Sequence, residues 1–139
     1  MAWSTLVADD ALALFNKAER ELVAADEQLI GDALLDVSCR VREVAAVNRS
    51  NVLASYPAIP RSFRAAALAI VRRDLLLRYD LEVSASRQQA AVEAEQLLAD
   101  AKANKVLVAA EDGSIPAPAG SVPTVFAPDP VYFAGSGIL

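Results

Sequence analysis

Between residues 30 and 44 the apolar positions return at helical spacing: Ile30, Leu34, Val37, Val41 and Val44 form one stripe. A stripe of that period predicts a helix, following Gly31, that buries one side and leaves the other in water. Asp36 and Arg40 stand one turn apart on its flank, acid first, the favourable order for a helical ion pair. The stripe fades at Asn48, Ser50 and Asn51, which predicts a looser stretch. Ahead of it, "DDALALFNKAERELVAADE" reads as a first helix capped by Asp9 or Asp10, with Leu12, Phe15 and Leu22 on one side and Asn16 as the point where it can divide.

Residues 56–79, "YPAIPRSFRAAALAIVRRDLLLRY", break the simple amphipathic pattern. Two prolines in "YPAIP" predict a turn, and Pro60 suits the first position of a third helix, where its missing N–H has no intrahelical partner to lose. Projected at 100° per residue, Phe63, Ala66, Ala67, Ile70, Leu77 and Leu81 share one face, while Leu68, Val71, Leu75 and Tyr79 share another. Two apolar faces need two sets of neighbours. Arg64 and Arg78 lie near the second face, Arg72 further round and Arg73 close to the first; the second face with Arg64, Arg72 and Arg78 is the candidate subunit interface. Asp74 projects into the first face and predicts either a partner in Arg73 or Arg78 or a solvated gap, because a buried carboxylate without a partner is costly.

A fourth helix is predicted over "SASRQQAAVEAEQLLADAKANK", opened by Ser86 with Gln89 in a capping box and buried along Ala90, Ala94, Leu97, Leu98 and Ala101. "VLVA" at 106–109 is a candidate short strand. From residue 113 onward the chain holds four of its five glycines and five of its seven prolines, with no Lys or Arg, so a helix is not expected there. Ile115, Val122, Val125, Phe126, Val131, Tyr132 and Phe133 nonetheless make it greasier than a solvated linker. Fixing its backbone costs about 1–2 kcal/mol per residue, against about 1.5–3 kcal/mol for each large apolar side chain buried. The arm gains order only where a surface outside it supplies cover, by strand addition around "PTVFA" or aromatic anchoring at "VYF". The expected organisation is mainly α: a small four-helix bundle over 1–110 with a short strand, then an extended Pro/Gly-rich docking arm over 111–139.

Charge sharpens this picture. Residues 1–39 carry eight acids and two bases, residues 40–87 nine arginines and four acids, and residues 88–139 six acids and two lysines. A basic middle flanked by acidic ends can set the register of a contact between subunits. The absence of histidine removes the usual general base and the commonest metal ligand, and lone Cys39 has no second cysteine for a disulfide or zinc site. No phosphate loop and no nucleophile beside a base occurs, so neither an enzyme nor a cofactor is expected. No basic leader runs into an apolar segment and nothing approaches about 20 uninterrupted apolar residues, so a membrane partner is not expected and assembly in cytoplasm is. The alternative is a small helical nucleic-acid-binding protein of helix-turn-helix type. Against it, the arginines are spread round their helices, no aromatic is interleaved for stacking, and the net charge is −5.

The order of an acidic first helix, a Val/Leu-striped second, the proline turn into "YPAIPRSFRAAALAIVRRDLLLRY" and then "RQQAAVEAEQLLADAKANKVLV" resembles the phage head-tail connector proteins, also called adaptor or head-completion proteins, of the Mu-type branch. The likeness covers roughly residues 5–109. It departs late in the second helix, "VREVAAVNRSNVLASY", where the family's acidic residue and tyrosine are missing. The resemblance implies a virion protein at the head-tail interface: a homo-oligomeric ring, expected to be a dodecamer, joining the portal protein to the tail or to a stopper. DNA would pass through its channel without being read.

Overall fold

The stripe from Ile30 to Val44 lies on a helix that starts earlier than the sequence suggests. In a computed structural model that describes residues 2–116, Asp26 accepts the Leu29 N–H at 3.1 Å and opens a helix over Glu27–Ala46, so Gly31 sits inside it and not before it. All five stripe residues are buried. A Cβ built on Gly31 would meet nothing within 4 Å. Gly31→Ala is therefore expected to stabilise the protein by roughly 0.5–1 kcal/mol, read as a higher urea midpoint with unchanged slope.

The first predicted helix is two. Along the described chain the elements run β1 (Trp3–Ser4), α1 (Ala8–Leu12), α2 (Lys17–Val23), α3 (Glu27–Ala46), β2 (Ile59–Pro60), α4 (Arg64–Arg78) and α5 (Ala85–Ala103). Asn16 divides α1 from α2 because its side chain accepts the Glu19 N–H at 2.9 Å while the Glu19 carboxylate accepts the Asn16 N–H at 3.1 Å, a reciprocal cap. Arg20 donates back to the Leu12 and Phe15 carbonyls and satisfies the end of α1. Neither Asp9 nor Asp10 is the N-cap of α1. Val7 holds that place, and Asp10 accepts its N–H from within the first turn.

Pro60 does not open α4. It is extended and pairs antiparallel with Trp3 in a two-strand ladder, Trp3 opposite Pro60 and Ser4 opposite Ile59, after which a 3-10 turn over Arg61–Phe63 leads into the helix. The chain reaches this point through a cis Tyr56–Pro57 bond. α4 ends at Tyr79, where Asp80 takes a left-handed conformation (φ +54°) and the Leu81 N–H returns to the Leu76 carbonyl at 2.9 Å. α5 begins two residues before its expected cap, at Ser84, whose hydroxyl accepts the Arg87 N–H. Its buried stripe is Ala91, Ala94, Leu98 and Ala101, so Ala90 is only half-buried and Leu97 faces outward.

The fold is mainly helical, as the sequence implies, with α4 packed against α5, α3 and α1, and α3 also touching α5. Ala66 and Ala67 on α4 and Ala91, Ala94 and Ala101 on α5 are all buried, and small buried residues allow packed helices to approach closely. The only sheet among the described residues is the β1–β2 ladder. "VLVA" at 106–109 has no strand partner among the described residues, yet it is anchored. The Asn51 amide donates to the carbonyls of Ala45 (2.8 Å) and Val106 (2.9 Å) and accepts the Val108 N–H (2.9 Å), while the buried Trp3 indole donates to the Ala109 carbonyl at 2.6 Å. The stretch that looked loose in sequence is a buried tie between the end of α3 and the segment after α5.

Candidate functional site

The basic middle of the chain does meet its acidic ends, but within one subunit. Arg64 on α4 pairs with Asp10 on α1 at 2.5 Å, and Arg87 on α5 pairs with Glu19 on α2 at 2.7 Å. Glu95 receives Arg73 at 2.6 Å and Arg40 at 3.2 Å, joining α5 to α4 and α3. Asp74 is partly exposed and takes Arg73 at 3.1 Å, one of the two partners expected for it. Arg42 donates to the Ala58 carbonyl at 2.8 Å and lies over the rings of Trp3 and Tyr56. These contacts hold the bundle together, so the charge pattern is spent on the subunit's own register.

The Arg73 guanidinium, and behind it Arg40, holds the Glu95 carboxyl below the usual glutamate range, and Arg87 does the same for Glu19. A carboxyl whose pKa is lowered on folding contributes stability that is complete above its unfolded value and is lost as the pH falls through the lowered one. Glu95 is substantially exposed, so the network is worth roughly 1 kcal/mol. The difference in melting temperature between the wild type and Glu95→Gln should be present near neutral pH and vanish on acidification below the usual glutamate range, as read by circular dichroism.

The candidate interface on α4 divides. Val71 is 1% and Leu75 0% exposed, and both are closed over inside the subunit. They are core, because the second apolar face of α4 finds its neighbours in the chain's own bundle; assigning them to a subunit contact is corrected accordingly. Arg64 is bound to Asp10 and Leu68 is half-buried. What remains available is the C-terminal half: Leu77, expected on the first buried face, is 56% exposed, and Arg78 is exposed. Arg72 and Tyr79 are half-buried with polar atoms unsatisfied. The Arg72 Nε and the Tyr79 hydroxyl have no hydrogen-bond partner among the described residues. Desolvation, with Arg87 adding to it, lowers the Arg72 pKa, and desolvation raises that of Tyr79.

Of the candidate docking residues in the arm, Ile115 is described and is exposed. Val122, Val125, Phe126, Val131, Tyr132 and Phe133 lie outside the described residues, as does the proposed arm from residue 117 onward. Beside the arm's root runs an apolar groove of about 380 Å³, with Phe63, Ala101, Val106, Leu107 and Val108 along it and outward-facing Leu97 at its side. Sequence reasoning missed this groove, because it arises where α5 ends and the chain doubles back. The signal that could have found it is Leu97, a large apolar residue one position off the buried stripe. Among the described residues no helix is long and apolar enough to cross a membrane, and no three His, Cys, Asp or Glu side chains gather as a metal site. No family model, curated protein or solved structure matches the chain.

Proposed function

We propose that this chain is a structural subunit of a phage head-tail connector, a homo-oligomeric ring that joins the portal vertex to the tail and leaves a channel for DNA. The observation that carries this reading is the C-terminal half of α4, where Leu77 is 56% exposed and neighbours exposed Arg78, an apolar side chain left outside the chain's own bundle. A second copy that covers Leu77, with Arg78 at the rim of the contact, would complete the apolar requirement of this surface. Closed rings are built from heterologous contacts, so the surface opposite it need not look alike. The order of helices and the apolar arm that follows them support the same assignment through the resemblance described above.

No observation among the described residues favours the nucleic-acid reading, since Arg40, Arg64, Arg73 and Arg87 are each held by a carboxylate. The test is native mass measurement of the full chain, alone and with the portal protein. The expected result is a complex carrying multiple copies of the chain on each portal, lost when residues 113–139 are deleted and weakened about tenfold or more by Leu77→Asp, with helical content unchanged in both variants. Absence of any complex with portal, or a single copy bound, overturns the assignment.

A further inference from the structure

A head-to-tail assembly needs two different surfaces on one chain, and the structure carries one at each end of α4. At the N-terminal end lies the apolar groove of about 380 Å³, lined by Phe63, Ala101 and Val108 and flanked by Leu97, which is 47% exposed. Asp100 stands at its rim, exposed, with Oδ1 accepting the Gln96 amide at 2.8 Å. The groove is a socket for a large apolar side chain with an acid beside it.

The C-terminal end of α4 has the matching chemistry. Leu77 is 56% exposed and is followed by exposed Arg78 in the last turn of the helix. Leu77 cannot serve the groove of its own chain. Phe63 immediately precedes α4, and Leu77 lies about 20 Å further along the helix axis, far beyond the reach of a leucine side chain. Charge then selects among the ways two copies can meet. Leu77 against Leu77 sets Arg78 beside Arg78, and groove against groove sets Asp100 beside Asp100, so both symmetric pairings oppose like charges. Leu77 in a neighbour's groove sets Arg78 against Asp100, the one pairing in which apolar and charged groups both find a complement.

We infer that the partner of the Leu77 end is this groove on a second copy of the chain: Leu77 seats against the neighbour's Phe63 and Leu97 while Arg78 pairs with the neighbour's Asp100. The inference deepens the ring assignment and rests on it for closure. A contact of this kind propagates from copy to copy and closes only where the rotation between copies returns on itself, which a portal template would impose.

The test uses full-length Arg78→Lys, which keeps the charge and supplies a primary amine, treated with a carbodiimide that joins an amine directly to a carboxylate. The chain is treated bound to the portal protein and, separately, free at high concentration. The expected result is a ladder of dimers and larger products whose peptide map contains a link between positions 78 and 100 that the monomer band lacks. Adding Leu97→Ser, with helical content unchanged, should reduce that link about tenfold or more. No such link in either sample, a link confined to the monomer band, or a link indifferent to Leu97→Ser each overturns the contact. A link that appears only when residues 113–139 are deleted gives the groove to the chain's own end and overturns the contact in the intact protein. The connector reading fails separately. A linked ladder from the free chain with no portal complex keeps the contact and removes the connector, whereas multiple copies on the portal without the link keep the connector and remove the contact.

Discussion

Asn51→Leu is expected to cost roughly 3–5 kcal/mol of stability and to release the segment 106–109 from the core. The Asn51 side chain makes three hydrogen bonds to backbone groups, two given to carbonyls and one taken from an N–H. The residue is 7% exposed, so water cannot replace what is removed. Leucine has a similar volume, and the loss comes chiefly from leaving the Ala45 and Val106 carbonyls and the Val108 N–H unsatisfied at about 1–3 kcal/mol apiece, with partial relaxation. The chain has a single tryptophan, and its indole is bonded to the Ala109 carbonyl at the end of this segment. Urea titration followed by Trp3 fluorescence should show the lower midpoint and, before the main transition, a change in native-state emission. An unchanged midpoint would mean that the Asn51 amide bonds contribute nothing net to the folded state.

The second large effect concerns α4. Leu75→Ala should destabilise the isolated chain by about 2–5 kcal/mol, because Leu75 is fully buried and its truncation leaves a cavity between packed helices. Leu77→Ala, on the exposed side of the same helix, should change stability by no more than about 0.5 kcal/mol. Denaturant unfolding of the two variants at a concentration where the chain is a single copy separates a core face from a surface face. Equal, small effects would return Leu75 to the subunit contact that its periodicity alone suggests.

The contrast between Leu75 and Leu77 shows how far periodicity carries. The Ile30 to Val44 stripe was legible because a helix with one apolar side has one way to lie. α4 is apolar on two sides, and spacing reveals that both must be covered without revealing by what; the cover comes from α5, α3 and α1 of the same chain. The stripe on α5 was read one residue out of phase at Ala90 because Ala90 and Ala91 are chemically identical. What fixes the phase is the surroundings of the helix, including Glu95 against Arg73 and Arg40. Asn51 looked like a loosened polar stretch because its partners at 106 and 108 are far away in sequence. The β1–β2 ladder is two residues long on each side, too short for an alternating pattern to register. Asn16 was legible as a break, since a side chain that caps a helix competes with continuing one.

The indole bond from residue 3 to residue 109 has a practical geometric corollary. It brings the front of the described chain and the root of the arm to one pole, while the Tyr79–Ser84 turn sits between α4 and α5. A bulky fusion placed ahead of Ala2 would therefore crowd the exit of the arm and could mimic a docking defect that belongs to the tag.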